Sequence, residues 1–313
     1  MRQTLCDGYL VIFALAQAVI LLMLTPLFTG ISRQIRARMH SRRGPGIWQD
    51  YRDIHKLFKR QEVAPISSGL MFRLMPWVLI SSMLVLAMAL PLFITVSPFA
   101  GGGDLITLIY LLALFRFFFA LSGLDTGSPF AGVGASRELT LGILVEPMLI
   151  LSLLVLALIA GSTHIEMISN TLATGWNSPL TTVLALLACG FACFIEMGKI
   201  PFDVAEAEQE LQEGPLTEYS GAGLALAKWG LKQVVMAALF VALFLPFGRA
   251  QELSLACLLT SLVVTLLKVL LIFVLASIAE NTLARGRFLL IHHVTWLGFS
   301  LAALAWVFWL TGL

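Results

Sequence analysis

Eight apolar runs, each near the length needed to cross a bilayer, decide what this chain can become. A spanning helix takes about 20 residues, and such runs lie near 9–31, 74–96, 105–122, 139–160, 179–197, 232–247, 253–279 and 295–312. With 59% apolar and only 12% charged residues and a mean hydropathy of +0.92, the chain reads as an all-α polytopic membrane protein. No internal repeat, low-complexity tract or soluble domain interrupts it, so residues 1–313 are expected to form one membrane unit. The first run is too long for a signal h-region and lacks a small-residue cleavage site, so it is expected to stay as a helix.

Charge gives the runs their sidedness. The connections 32–73, 123–138, 198–231 and 280–294 carry most of the twenty Lys and Arg residues. Arg116 and Lys268 lie within spans, and Arg2 and Arg249 belong to the other face. The positive-inside rule makes those four connections cytoplasmic and, with eight spans, both termini periplasmic, as in a bacterial inner membrane. The first connection holds nine basic residues from Arg33 to Arg60, including Arg42, Arg43 and Lys56, against Asp50 and Asp53. After the Gly44-Pro45 turn, Ile47, Tyr51, Ile54 and Phe58 make one apolar face of a helix that should lie in the interface. Such a segment attracts anionic lipid, or it packs beside an acidic surface and forms a docking platform.

The acidic surface is at hand. From Glu196 to Gly221 the chain has seven carboxylates (Glu196, Asp203, Glu206, Glu208, Glu210, Glu213 and Glu218) against Lys199 alone. Pro201 at a first helical position and a Gly214-Pro215 stop predict a short helix between them. On that helix Asp203, Glu206, Glu210 and Glu213 share one face within about 80°, and Glu208 points elsewhere. Like charges three and four residues apart cost a few tenths of a kcal/mol per pair. A solvated acidic face explains the run blandly; a docking or proton-handling surface explains it better in this company.

Within the spans three ionisable residues stand out, since a charge there costs several kcal/mol unless paired or wet. Arg116 is about 9 Å from the end of its span, within reach of snorkelling. Glu146 is about 12 Å down, too deep for its length, and Pro147 beside it frees backbone groups. Lys268, near the middle of its run, must pair with an acid or line a hydrated cavity. Glu138, Glu146 and Glu196 lead from the boundary into the bundle, and clustered carboxylates there raise one another's pKa, which suits proton exchange.

Hydrolytic and nucleotide-binding motifs are missing from the sequence. Cys6, Cys189, Cys193 and Cys257 lack metal-site spacing, and Cys189 and Cys193 read as small packing residues. His40, His55, His164, His292 and His293 read as solvated, with His292-His293 a faint metal option. A disulfide framework or iron–sulfur ligation on this chain's cysteines is therefore not expected.

Pro201-Phe202-Asp203, Glu206-Ala207-Glu208, Glu210-Leu211, Gly214 and Thr217-Glu218-Tyr219-Ser220-Gly221 resemble the third cytoplasmic loop of the subunit-1 family of respiratory complex I. Arg42-Arg43-Gly44-Pro45 with Gln49, Asp53, Lys56-Leu57 and Lys59 resembles that family's first loop. Arg137 followed by Glu146 resembles its Arg…Tyr-Glu element. Gly46, Val145, Lys199, Glu213 and Pro215 depart from the family pattern, and these departures put quinone binding in doubt. The chain as a whole resembles the branch found in formate-hydrogenlyase and hydrogenase-4 type complexes. That resemblance implies a non-catalytic coupling subunit. Soluble [NiFe] hydrogenase and iron–sulfur subunits would dock on its loops, antiporter-like membrane subunits would adjoin it, and the [NiFe] centre and clusters would sit on the partners. A purely structural anchor and a quinone-site subunit are the alternatives, and a free-standing transporter is disfavoured because paired repeats are not evident.

Overall fold

A computed structural model describes residues 2–99, 102–176, 178–206, 208–251, 254–284, 286 and 290–312; the side chains of residues 2–9, 208 and 209 lie outside that description. The chain runs α1 (Arg2–Met39), α2 (Gln49–Phe58), α3 (Leu70–Ala89), α4 (Leu105–Asp125), α5 (Pro129–Ala160) and α6 (Ile165–Thr174). It continues with α7 (Pro179–Glu196), α8 (Glu208–Leu211), α9 (Gly221–Ala227), α10 (Leu231–Phe244), α11 (Leu255–Thr282) and α12 (Ile291–Thr311). Among the described residues eight helical segments are long and apolar enough to span a bilayer, with α9 and α10 together making the sixth. The expected number of spans is found, and the chain is all-α.

Boundaries moved where local chemistry overrode hydropathy. The second span ends at Ala89, not 96, because Leu90 precedes Pro91 and takes an extended conformation. The fourth begins at Pro129, the first helical position, so the connection expected at 123–138 is largely helix. Gly230, at φ +75°, separates α9 from α10. The short helix α6, between the fourth and fifth spans, was not anticipated.

The main apolar cluster runs through α1, α3, α4, α5, α7, α10, α11 and α12, and a second, smaller one joins Phe72, Met75 and Leu79 of α3 and Phe119 of α4 to Leu216 and Tyr219. α5 touches α4, α7 and α12, and is central for that reason. The end of the bundle where α1, α4, α7 and α11 finish and α3, α5, α9 and α12 start, here the basic end, carries the functional connections.

At the opposite end two irregular segments dip into the bundle. Their carbonyls are met by a polar stripe on α11: Thr265 donates to Leu92 O (3.1 Å), Ser261 to Phe93 O, and Lys268 to Leu245 O (2.9 Å) and Phe247 O. Gln17 of α1 likewise donates to Ala87 O (2.7 Å) and Leu90 O (2.8 Å), closing the end of α3. Backbone groups left open by broken helices must find such partners inside a membrane.

Candidate functional site

Arg116, on α4, is the centre of the basic end. It is 5% exposed and does not snorkel. Its Nη1 pairs with Glu146 of α5, its Nη2 with Glu196 at the end of α7, and its Nε lies 3.5 Å from Glu138 of α5. Lys232, in the first turn of α10, closes the ring, with Nζ 3.0 Å from Glu196 and 3.8 Å from Glu138. Gly142 makes room for this: a Cβ there would overlap the Arg116 guanidinium. The sequence placed Glu138, Glu146 and Glu196 on one route, and the fold gathers all three on a single arginine. Lys232 was missed. It begins its apolar run, where a lysine reads as an ordinary interface residue, and its facing toward the bundle was the unread signal.

Above this ring opens a chamber of about 680 Å³ whose wall carries eight carboxylate and eight cationic side chains. The acidic stretch forms one side, but not as a helix. Pro201 stands in a turn rather than at a first helical position, residues 203–206 are irregular, α8 has four residues, and Gly214–Leu216 is a 3₁₀ turn. The common helical face expected for Asp203, Glu206, Glu210 and Glu213 therefore does not exist. Asp203, Glu206 and Glu213 still line the chamber, whereas Glu210 pairs outside with Arg137 at 2.7 Å. Glu208 falls outside the described side chains.

The loop is seated by fit more than by charge. Pro215 enters a gap left by Gly123 of α4 and Gly134 of α5, where added Cβ atoms would come within 3.2 and 2.7 Å of its ring. Phe202 is buried against Phe191 and Phe194. Tyr219 stacks on Phe72, ring centres 4.0 Å apart, and donates to Phe72 O. Ser220 and Val63 exchange hydrogen bonds. The first and third connections are thus joined as expected, though among the described residues aromatic and hydroxyl contacts do the joining rather than ion pairs.

Electrostatics inside the chamber follow from enclosure. Glu206 faces the chamber's solvent but has protein on every side. This burial, with Asp203, Glu138 and Glu213 nearby and only Lys228 opposing, lifts its carboxyl to about 8. Lys199 is buried, which pushes its ammonium down despite the Glu280 carboxylate 3.1 Å away. Ser32 of α1 holds the same lysine at 3.2 Å, fastening the acidic loop to α1 and α11.

On the first connection, α2 packs against α1 and α9 and forms the chamber's other wall. Asp50 is buried between Thr29 (2.6 Å) and Arg33 (2.6 Å), and Asp53 accepts from Gln49 (2.9 Å). Lys56 lines the chamber. Arg42, Arg43, Gly44 and Pro45 form an exposed turn beyond α1. Glu218 is half-buried beside Tyr219. Lys268 alone stands apart. It neither pairs with a described carboxylate nor reaches the chamber, because its ammonium donates to the Leu245 and Phe247 carbonyls just past α10.

Fold and site together define a polytopic membrane subunit built around a charged chamber. The family model described as NADH dehydrogenase matches residues 11–311, and the chain belongs to that family. Over 315 aligned positions it is 98% identical to hydrogenase-4 component C of Escherichia coli (strain K12), covering 100% of both chains. Formate hydrogenlyase subunit 4 of the same organism is 52% identical over 303 positions, 95% of this chain and 98% of that one. Among solved structures, a chain of the membrane-bound sulfane sulfur reductase, an archaeal respiratory membrane complex, superposes with a TM-score of 0.82. It is 25% identical, with 97% of this chain and 98% of that one covered. The family inferred from the loop motifs is the one found, and these relatives are each named as one part of a larger assembly.

Proposed function

We propose that this chain is the non-catalytic coupling subunit of a hydrogenase complex in a bacterial inner membrane, with its basic end cytoplasmic and both termini periplasmic. The soluble [NiFe] hydrogenase large and small iron–sulfur subunits dock on the joined loops, and the [NiFe] centre and clusters belong to them. The observation that carries the reading is the sharing of Arg116 among Glu138, Glu146 and Glu196. The network starts in the chamber wall and ends at Glu146, which does not line the chamber and whose side chain is 33% exposed within a spanning helix. A carboxylate there is costly against lipid, so an adjoining membrane subunit, of the antiporter-like kind, covers it. Protons enter by Asp203, Glu206 and Glu213 and pass to the ring around Arg116.

The chamber suits water and ion exchange better than an isoprenoid quinone, whose pocket would be mostly apolar; sixteen charged side chains in the wall argue against that ligand. The sharing of two cations among three carboxylates also suits a second reading, in which the carboxylates only anchor cations. Amide substitutions separate the two. Glu146→Gln keeps size and hydrogen bonding but removes titration. In the purified complex, full subunit content with reduced hydrogen evolution or proton uptake in vesicles supports coupling. A Glu146→Gln complex that assembles and couples like wild type removes this residue from the path, and loss of assembly first supports anchoring.

A further inference from the structure

The end of the bundle opposite the chamber holds two cations that the chamber does not use. Lys268 and Arg249 converge on the last turn of α10. Besides its two carbonyl bonds, Lys268 Nζ lies 3.9 Å from the centre of the Phe247 ring. Arg249 Nη2 donates to Ala242 O, a carbonyl that also accepts from Ser169. Its Nη1 is buried and, among the described residues, meets no acceptor. Among the described residues no carboxylate lies within ion-pair distance of either cation.

Charge counting shows what is missing. A helix C-terminus offers roughly half a negative charge, so two whole positive charges leave more than one uncompensated. Burial pushes the Arg249 guanidinium down to about 10, a sign that its surroundings do not neutralise it. A buried donor without an acceptor is rare enough to call for a partner. The turn exposes two large apolar side chains beside these cations, Phe247 (62%) and Leu255 (77%). An anion whose neighbours are hydrocarbon answers both facts.

We propose that Arg249, with Lys268 behind it as a fixed positive charge, holds the phosphate of an anionic glycerophospholipid whose acyl chains lie along Phe247 and Leu255. A guanidinium binds two phosphate oxygens at once, and a small turn of this half-buried side chain brings Nη1 outward. Lys268 keeps its carbonyls and contributes field rather than contact.

The test is lipid retention by the intact purified complex, read by native mass spectrometry after reconstitution in phosphatidylcholine vesicles with or without phosphatidylglycerol. Wild type should keep phosphatidylglycerol in preference to phosphatidylcholine, and Arg249→Gln should lose it by about tenfold, the worth of one charge-assisted contact. Equal retention of the two lipids, or unchanged retention in Arg249→Gln, overturns the proposal. Displacement by inorganic phosphate would mean that the site reads a free anion, which also overturns the lipid assignment. Glu252, three residues along and outside the described residues, supplies the remaining arm. Glu252→Gln should leave retention unchanged, and a rise would identify that carboxylate as the counter-ion instead.

Discussion

The two ends of this bundle handle buried polar groups in opposite ways. At the basic end side chains answer side chains: Arg116 and Lys232 are shared among Glu138, Glu146 and Glu196. At the other end side chains answer the backbone, with Gln17, Ser261, Thr265 and Lys268 capping carbonyls of broken helices. A carbonyl cannot change its protonation state, whereas a carboxylate can. The first arrangement can therefore be rewritten by a proton, and the second only holds a shape. The same residue type, a lysine inside a span, serves a titratable network at 232 and a structural cap at 268.

The largest effect expected from breaking this contrast is at Arg116. Arg116→Leu leaves Glu196, 3% exposed on its side chain, with Lys232 alone, and stranding a buried charge costs about 3–5 kcal/mol. The subunit should vanish from membranes or unfold far below wild type in a thermal assay. Arg116→Lys keeps charge but loses the fork, so partial assembly with impaired hydrogen turnover is expected.

Lys268→Met comes next. It removes two carbonyl bonds, each unmet buried group costing about 1–3 kcal/mol, and should lower thermal stability while leaving proton coupling per hydrogen evolved intact. A coupling defect at full stability would place Lys268 in the proton network and erase the distinction between the two ends.

Smaller in energy but sharper in kind is the pH response of Glu206. An unfolded glutamate titrates near about 4.3, whereas the folded carboxyl is held at about 8. Between those values the folded loop keeps a proton that the unfolded chain has released, so its stability falls as pH rises through that window. Hydrogen–deuterium exchange across residues 199–206 should speed up with pH beyond the intrinsic trend, and Glu206→Gln should remove the excess. An excess that persists in the variant assigns the titration to another group.

The smallest structural effect is expected from neutralising Arg42 and Arg43 together. Their turn is exposed and should not alter the subunit's own stability, yet soluble hydrogenase subunits should wash off the membranes more readily. Wild-type retention in raised salt would leave these arginines with lipid alone.

Hydropathy read the eight spans correctly because each run had to satisfy the same solvent. It also grouped Glu138, Glu146 and Glu196, since a carboxylate near a span end has few places to go. The conformation of 199–216 was illegible for a different reason. A helical wheel assumes regular backbone, but here Gly198 (φ +63°) and Gly214 (φ +53°) bend the chain, and the loop is shaped by Gly123 and Gly134, remote in sequence. The α11 stripe was equally hidden: Ser261 and Thr265 meet carbonyls 168 and 173 residues away, a pairing no local pattern announces. Arg116 was read as free to snorkel because its three acids come from two other helices.

The glycine gap that receives Pro215 has a bearing on how the complex comes apart. Contacts of shape do not weaken as mobile ions accumulate, whereas attraction between exposed charges fades beyond a screening length of about 8 Å at physiological ionic strength. Concentrated salt should thus peel extrinsic proteins from the Arg42–Arg43 turn while the acidic loop stays keyed between α4 and α5. The stripped membrane would keep a fully formed chamber, ready to be recharged with its partners by simple dilution.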